Sequence, residues 1–392
     1  MPAKNRAQNV KILGFCEKTE QKNRNIARMR AKIGESSGVN NWFAEGLIDW
    51  YKTNKRELPW REEKDPYKIW LSEIILQQTQ VKQGLGYYQR FIERFPNVKK
   101  LAKASENEVL KMWEGLGYYS RARNLHASAK TIATTFKGKF PAQHHQILEL
   151  KGIGDYTAAA IASFAYGLAH AVVDGNVYRV LSRVFGIDTP IDSATGKKAF
   201  QQLATALLPK NKPDIYNQAI MEFGAQYCKP RTPDCVKCIF STRCLAFAKS
   251  NVQDLPVKSK KASVTVRYFN YMICIDANKT LGICKREKKD IWQGLYEFPL
   301  IESEAKLSSA EGIKAAEKKF KTKGLKSALI LRSGEYKHQL SHQTIYAVFY
   351  VFYPLKTTLS TAETTTLKKL RNYAFPQLMV KFMKDCELRE IV

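Results

Sequence analysis

The sequence contains no uninterrupted apolar run of about 18 residues, the length that suggests a membrane-spanning helix. Residues 1–40 alternate basic side chains with Asn and Gln and lack the apolar core of a secretory signal. Acidic residues are also scarce, since 36 Asp and Glu stand against 64 Lys and Arg, a net charge of +28. We therefore expect a protein outside the membrane and secreted classes that binds a polyanion such as nucleic acid. A merely soluble basic protein is the alternative that charge alone leaves open.

Cysteine is uncommon, with 8 in 392 residues, and half of these are scattered, as in proteins of reducing compartments. The other half form a Cys-x6-Cys-x2-Cys-x5-Cys pattern at Cys228, Cys235, Cys238 and Cys244. Thiolates spaced in this way can surround an iron–sulfur cluster or a structural zinc ion. Free thiols or two disulfides are the alternative, which the missing secretory signal disfavours.

The pattern of apolar residues changes along the chain. Residues 1–40 form a predicted basic tail, and residues 41–250 carry apolar side chains at helical spacing, separated by short Gly-containing breaks. Residues 251–262 are a polar, basic linker. From 263 to 392 the period changes to two, with helical patterns between the strands. The predicted fold is a mainly α domain followed by an α/β domain, with strands at 264–272, 280–285, 328–332 and 344–352 and helices at 308–320 and 376–384.

A glycine-containing turn joins two predicted helices at residues 150–159, LKGIGDYTAA. Gly152 and Gly154 permit positive φ and let a phosphate approach the backbone. The amides at the start of the following helix carry partial positive charge. We interpret this segment, about residues 148–160, as a helix–hairpin–helix that grips phosphate without reading base sequence.

Two carboxylates stand out from their surroundings. Asp174 lies between an apolar run and Gly175, directly before a predicted helix, where it is either an N-cap or a carboxylate facing a cleft. Glu73 follows Ser72 in an apolar helix, and desolvation there raises the pKa of an acid. An exposed helix Glu paired with a nearby Lys is the alternative for Glu73.

The hairpin, Asp174 and the cysteine pattern occur in this order and distance in the endonuclease III superfamily of DNA glycosylases, which the chain resembles. Segments 58–61, 71–80 and 115–125 resemble the MutY-type adenine DNA glycosylases more closely. The resemblance covers residues 41–250 closely and the C-terminal domain loosely. It implies a helix–hairpin–helix catalytic domain with a [4Fe–4S] cluster on the four cysteines, followed by a Nudix-like domain at residues 263–392.

The resemblance also implies an activity. The protein would be a monofunctional glycosylase of base excision repair that hydrolyses the N-glycosidic bond of adenine opposite 8-oxoguanine, and more weakly opposite G. Glu73 would protonate N7 of adenine, and Asp174 would stabilise the cationic sugar, with or without a covalent intermediate. Tyr156 and Asn176 would support the acids. Bifunctional relatives carry a lysine where this chain has Tyr156, and a phenol cannot form a Schiff base.

Further residues match positions that contact DNA in this family. In the helical domain, Gln78 and Tyr118 would wedge beside the mismatch and contact the opposing guanine, and Thr79 would be a further DNA-binding residue. A solvent-facing helix amide and a core aromatic are the respective alternatives for Gln78 and Tyr118. Trp60 and Arg61 match a region of the adenine pocket and of oxidised-guanine recognition.

The C-terminal domain is predicted to recognise the lesion. Nucleotide hydrolysis by a Nudix enzyme needs a cluster of Glu residues, and none follows residues 294–299. Ser341 and His342 match a loop that the family places against 8-oxoguanine, where Leu340 replaces the usual Phe. An ordinary strand-to-loop transition is the alternative.

Two rival functions remain open from the sequence: an endonuclease III-like enzyme for oxidised pyrimidines, and a non-catalytic DNA-binding protein. Tyr156 and the extra domain disfavour the first, and the pair of Glu73 and Asp174 disfavours the second. The expected partner is double-stranded DNA with A:8-oxoguanine or A:G mispairs, bound by a monomer. We expect a cytoplasmic, nucleoid-associated protein in a bacterium and a nuclear one in a eukaryote.

Overall fold

The computed structural model describes residues 39–259, 264–355 and 363–386. Most of the predicted basic tail, residues 1–38, lies outside these ranges. The described residues group into two compact units. The first contains residues 39–70, 141–149 and 153–259, and the second contains 71–140, 150–152 and the C-terminal segments. Across these ranges, no helix combines the length and apolar character that crossing a membrane requires.

The described chain before residue 260 is helical, as the apolar spacing predicts. A short 3-10 turn at Val252–Asp254 follows the α-helices. These are α1 (Val39–Asn54), α2 (Pro66–Leu76), α3 (Val81–Arg94), α4 (Val98–Lys103), α5 (Glu106–Trp113), α6 (Ser120–Thr134), α7 (His144–Leu148), α8 (Asp155–Tyr166), α9 (Gly175–Val184), α10 (Ala194–Leu207), α11 (Pro213–Gln226) and α12 (Leu245–Ala248).

The first unit is built around α11, which packs against α1, α8 and α9. Aromatic side chains fill the space between them. Phe240, from the loop before α12, lies 5.0 Å from Phe43 of α1 and 5.4 Å from Phe223 of α11 between ring centroids. All three rings are at most 2% exposed, so their burial fixes α1, α11 and the cysteine-containing loop together.

The second unit joins helices α3 to α6 to the C-terminal segments. Trp113 of α5 is fully buried against Phe91 of α3, with ring centroids 5.6 Å apart. Lys111 donates a hydrogen bond of 3.1 Å to the carbonyl of Tyr373, and the Phe375 amide donates one of 3.0 Å to Glu114. The predicted boundaries at residues 41–250 and 263–392 stay a prediction. A division by chain order does not describe a discontinuous unit such as this one.

The C-terminal residues form a mixed sheet with helices on both faces, which confirms the predicted α/β class. Two long strands, β1 (Thr265–Asp276) and β7 (Gln343–Leu355), lie parallel at its centre, with Phe269 opposite Ala347. The remaining strands are β2 (Thr280–Lys285), β3 (Tyr296–Glu297), β4 (Leu300–Ser303), β5 (Leu329–Arg332), β6 (Tyr336–Gln339) and β8 (Glu363–Thr366). The strand order is β3-β2-β1-β7-β5, while β4 pairs with β1, β6 with β7 and β8 with β2.

Alternation along the central strands decides which face each helix covers. The helices of this region are α13 (Ser309–Phe320), α14 (Leu325–Ala328) and α15 (Gln377–Asp385), with a 3-10 turn at Leu367–Asn372. Met272 and Tyr350 pack with Ile313 of α13 on one face. On the other face, Phe382 of α15 stacks on Phe349 at 3.9 Å. Each predicted strand and helix is present, and the short strands β3, β4, β6 and β8 were not predicted.

Candidate active site and DNA-contacting residues

Glu73 lies near the C-terminal end of α2 and is buried. Its residue exposure is 7%, between Ser72 at 1% and Ile74 at 3%. Such burial excludes the alternative of an exposed helix glutamate paired with a surface lysine. The position is compatible with a desolvated acid, and the role of Glu73 in protonating adenine stays a prediction.

Asp174 is the N-cap of α9. Its Oδ1 accepts hydrogen bonds from the amides of Asn176 and Val177, at 2.9 and 2.8 Å, and its Oδ2 accepts one of 2.9 Å from the Asn176 side chain. Burial raises the pKa of Asp174 above the ordinary value, although these hydrogen bonds act in the opposite direction. The two interpretations from sequence are therefore compatible, because the cap fixes the orientation of a desolvated carboxylate.

Asn176 connects Asp174 to the cysteine-containing loop through Arg179. The Arg179 guanidinium donates a hydrogen bond of 2.8 Å to Asn176 Oδ1 and another of 2.8 Å to the carbonyl of Cys228. Gly224 contributes a third acceptor at 2.6 Å, and a Cβ at this glycine would lie 2.7 Å from Asn176 Cβ. Arg179 was not predicted as a site residue, although its position three residues after Asn176 places both on one helix face.

Tyr156 lies in the first turn of α8 and is half-buried. Its hydroxyl lies 3.7 Å from the sulfur of Met221 on α11. The phenol therefore contacts α11 of the same unit. Its predicted support of the acids stays a prediction.

The hairpin between α7 and α8 needs only one of its glycines for backbone geometry. Gly152 has φ +81°, and an added Cβ would lie 2.6 Å from Asn124 Cβ. Gly154 has φ −105°, and no atom lies within 4 Å of an added Cβ. Positive φ is thus used at Gly152 and not at Gly154, which is the N-cap of α8. Open space beside Gly154 is compatible with a phosphate approaching the first amides of that helix.

Gln78 and Tyr118 both lie in loops and have left-handed backbones, with φ +54° and +47°. Gln78 follows the end of α2 and is exposed. Tyr118 is also exposed, with 44% of its surface accessible to solvent. Neither alternative from the sequence holds, since Gln78 is outside the helix and Tyr118 is outside the core. Thr79, beside Gln78, is partly buried. Non-glycine residues in this conformation carry strain, which is common at functional sites.

Trp60 and Arg61 precede α2 and are largely enclosed. Trp60 is 9% exposed. Arg61 pairs with Glu222 of α11, whose side chain is 0% exposed and also accepts a 2.5 Å hydrogen bond from Arg56. Burial alone would raise the pKa of Glu222, but the ion pairs with both arginines hold it below the ordinary value. Arg61 therefore has a structural partner within its own unit, beside any contact with DNA.

Ser341 and His342 form the exposed turn between β6 and β7. The turn is closed by a 2.8 Å hydrogen bond from the Leu340 amide to the Gln343 carbonyl. Ser341 Oγ and His342 Nδ1 lie 3.2 Å apart, so the two polar side chains form one exposed group. A hairpin tip of this kind is accessible to a ligand.

The four clustered cysteines form no disulfides and line one cavity. Arg183 of α9 lies beside them, with its NH1 3.5 Å from Cys228 Sγ and 2.7 Å from the Lys229 carbonyl. The Phe240 amide donates to Cys238 Sγ at 3.4 Å. Burial raises the pKa of the Cys238 thiol to about 11, so metal binding there must displace a proton.

This donor set fits an iron–sulfur cluster. In the described ranges, no three His, Cys, Asp or Glu side chains are placed to hold one ion. That finding does not oppose a cluster, because a four-iron cluster attaches each of four thiolates to a different iron. N–H groups directed at the sulfurs are the kind of contact that tunes such a centre.

Two family models match the chain: the HhH-GPD superfamily of base excision DNA repair proteins over residues 71–207, and the NUDIX domain over residues 270–385. The adenine DNA glycosylase of Buchnera aphidicola subsp. Baizongia pistaciae (strain Bp) is 35% identical over 306 residues, which cover 78% of this chain and 84% of that protein. Human adenine DNA glycosylase is 40% identical over 213 residues, or 52% of this chain and 39% of that protein. The solved structure of a thermostable thymine-DNA glycosylase is 32% identical with a TM-score of 0.50, covering 54% of this chain and 97% of that one.

The buried Glu222 carboxylate predicts a pH-dependent loss of stability. We expect Glu222→Gln to lower the free energy of unfolding by about 3 kcal/mol at neutral pH, because two arginines lose a buried partner. A carboxyl with a lowered folded pKa stabilises the protein above its unfolded pKa, and this contribution is lost as pH falls through the folded value. Urea denaturation between neutral and acidic pH should therefore show a smaller difference between wild type and variant at acidic pH. A difference that is independent of pH would contradict the ion-pair interpretation.

The two hairpin glycines provide a matched pair of variants. Gly152→Ala should lower the free energy of unfolding by at least about 1–2 kcal/mol, the cost of a left-handed backbone with a Cβ. Gly154→Ala should cost less, about 0.5–1 kcal/mol, because the site is open and only the poorer N-cap propensity of alanine acts against it. If a phosphate approaches Gly154, this second variant should still weaken binding to undamaged duplex at fixed salt. Equal losses of stability in urea denaturation would show that the two backbones do not differ.

Proposed function

The chain belongs to the adenine DNA glycosylase family, and on that premise we propose that it removes adenine mispaired with 8-oxoguanine, and more slowly adenine opposite G. It is a DNA N-glycosylase, an enzyme that binds DNA and hydrolyses N-glycosyl bonds. The choice of adenine rests on the similarity to adenine DNA glycosylases. The observation that supports the proposed hydrolysis is Asp174, a desolvated carboxylate whose three hydrogen bonds come from the start of its own helix. A carboxylate held in this way can stabilise positive charge without rearranging.

The proposed reaction divides its work between two acids. Glu73 protonates adenine at N7, which makes the base a better leaving group as the N-glycosidic bond breaks. The deoxyribose then carries oxocarbenium character, and the negative Asp174 stabilises it until water adds to the sugar. Asn176 keeps Asp174 Oδ2 in place through its 2.9 Å hydrogen bond.

We propose that the enzyme is monofunctional. Strand cleavage by β-elimination needs an amine that forms a Schiff base with the sugar, and Tyr156 stands where related enzymes carry that lysine. Lys151, in the hairpin loop, is exposed and is better suited to contact phosphate. The purified protein should leave an intact abasic strand until base or heat is applied.

The cofactor proposed for Cys228, Cys235, Cys238 and Cys244 is a [4Fe–4S] cluster. Bound there, it would stiffen the loop that carries the exposed cations Lys229, Arg231, Lys237 and Arg243, which then contact phosphate. With all four thiolates used as ligands, the proposed contribution of these residues is structural.

Lesion recognition is proposed for two exposed groups. Gln78, Thr79 and Tyr118 would fill the space beside the extruded adenine, because a base must leave the stack before it reaches an active site. Ser341 and His342 would hydrogen-bond to the oxidised guanine, with Trp60 and Arg61 near the extruded base. The enzyme is proposed to act as a monomer, in the cytoplasm of a bacterium or the nucleus of a eukaryote.

The test is excision by the wild-type protein under single-turnover conditions from a panel of duplexes. Adenine opposite 8-oxoguanine should react fastest, adenine opposite G more slowly, and adenine opposite T hardly at all. Thymine opposite G and thymine glycol are included because of the thymine-DNA glycosylase likeness and the endonuclease III alternative. Faster excision of either thymine substrate would overturn the proposed substrate, and no excision from any duplex would favour a binding protein.

Substitution of the two acids should have different effects on excision. Glu73→Gln should bind the mispaired duplex normally and excise no adenine, because an amide cannot donate the proton. Asp174→Asn should lower the single-turnover rate by about 10²–10³-fold, the usual effect of removing one electrostatic stabiliser. The folded pKa of Asp174 is raised, so its ionised form costs stability at neutral pH, and asparagine caps a helix equally well. Thermal denaturation should therefore show Asp174→Asn to be at least as stable as wild type; a large loss of stability would assign Asp174 to structure alone.

Substitution of single cysteines should change the iron and sulfide content in a predictable way. Cys238→Ser should lose iron and acid-labile sulfide together, whereas Cys284→Ser, which changes a cysteine outside the group of four, should retain both. Chemical analysis of iron, sulfide and zinc in the purified proteins measures this directly. Zinc without sulfide in the wild type would make the cluster assignment wrong.

A further inference from the structure

A single buried guanidinium binds both loops that present the predicted wedge residues. Arg121, at the second position of α6, is 7% exposed. Its NH1 donates hydrogen bonds to the carbonyls of Ile74, Ile75 and Gln77, at 3.0, 2.8 and 2.5 Å. Its NH2 donates to the Gly117 carbonyl at 3.1 Å. The first set of acceptors belongs to the end of α2 and the loop after it, and the last belongs to the loop before α6.

The acceptors lie next to the strained residues. The Gln77 carbonyl is in the peptide unit that leads into Gln78, and the Gly117 carbonyl is in the one that leads into Tyr118. Both following residues have positive φ, which costs energy and persists only where the surroundings hold the backbone. One side chain therefore fixes the peptide immediately before each of two exposed, left-handed residues.

The surroundings of Arg121 provide carbonyl dipoles and rings in place of a carboxylate. In the part of the chain that the structure describes, no Asp or Glu forms an ion pair with it. Burial lowers the pKa of the guanidinium to about 10, so it remains charged at neutral pH. Its Cζ lies 5.0 Å from the Trp113 ring and 5.8 Å from the Tyr118 ring. The charge is thus directed at the two loops themselves.

We propose that Arg121 is a positioning residue that sets Gln78 and Tyr118 in the conformation in which they enter the DNA stack. The inference rests on the proposed function, since it assigns a cause to the geometry of the wedge. A planar fork with several donors can bind two loops at once, whereas an ammonium group offers donors from a single point. Arginine is therefore specifically suited to this position.

The test compares Arg121→Lys with Arg123→Lys in the full-length protein. Arg123 lies on the same helix, but its guanidinium donates to the Gln293 carbonyl and to neither loop. Each variant is assayed on adenine opposite 8-oxoguanine in a duplex, and on adenine in a single-nucleotide bulge, where the base is already poorly stacked. Arg121→Lys should slow excision from the duplex by about 10- to 100-fold, the loss expected for buried hydrogen bonds to a charged group. Excision from the bulge should remain within about threefold of wild type, because extrusion is easier there.

A purely structural role predicts a different result. If Arg121 only stabilises the fold, both substrates should lose rate by the same factor, and this outcome would overturn the proposal, as would an unchanged rate on both. A triple variant that combines Arg121→Lys with Gln78→Ala and Tyr118→Ala adds a second criterion. If Arg121 acts through these two side chains, the triple variant should be little slower on the duplex than the variant that carries the two alanines alone, whereas multiplied losses would indicate independent roles.

A milder variant keeps the test decisive if Arg121→Lys does not fold. Trp113 Nε1 donates a 3.0 Å hydrogen bond to the same Gly117 carbonyl. Trp113→Phe should lower the duplex rate by about threefold to tenfold, the loss of one neutral hydrogen bond, and spare the bulge. Equal loss on both substrates would again contradict the inference. Wild-type protein that excises adenine from neither substrate would instead refute the proposed function.

Discussion

The start of α9 is the constraint on which the first unit depends. Asp174 caps this helix, Asn176 binds the cap, and Arg179 joins Asn176 to the backbone of Cys228. One turn later, Arg183 donates to the carbonyls of Lys229, Pro230 and Leu255, at 2.7, 3.1 and 3.1 Å. A carboxylate that would otherwise prefer water is thereby held in one orientation by the same helix that anchors the cysteine-containing loop.

Buried arginine recurs throughout the molecule. Arg121, Arg179 and Arg183 are 7%, 8% and 2% exposed, and their donors are directed mainly at main-chain carbonyls. Arg61 instead pairs with the buried Glu222. Part of the net charge of +28 is therefore internal, where it fixes loops, and the excess of basic residues overstates the charge that faces a polyanion. A guanidinium suits this use because its planar fork satisfies several carbonyls at once.

Strain and rigidity are paired at the exposed loops. Gln78 and Tyr118 combine a left-handed backbone with an exposed side chain, and Gly152 has the same conformation in the hairpin. Gly152 has no Cβ and so adopts this conformation without a steric cost. At Gln78 and Tyr118 a side chain is present, and the surrounding hydrogen bonds keep the backbone in its strained conformation. That difference is consistent with a function for those side chains beyond the path of the backbone.

Much of the local structure could be predicted from the sequence. Helical spacing before residue 250 and alternation after residue 263 correctly indicated the element types, because burial of one face imposes its period on the sequence. The cysteine spacing, the burial of Glu73 and the helix cap at Asp174 were also predictable, since each depends on near neighbours. The strands β3, β4, β6 and β8 were missed, because segments of two to four residues seldom carry enough periodicity; among the described strands of this length, β5 alone was predicted.

Chain order and local pattern thus determined the element types, the motifs and the family resemblance. Only the tertiary structure decided which partners the buried charges find: Glu222 for Arg61, the two loops for Arg121, and Asn176 with Cys228 for Arg179. These contacts join residues as many as 161 positions apart, so no short-range spacing encodes them. They form because a buried charge needs hydrogen-bond or ion-pair partners, and the fold decides which groups lie close enough to provide them.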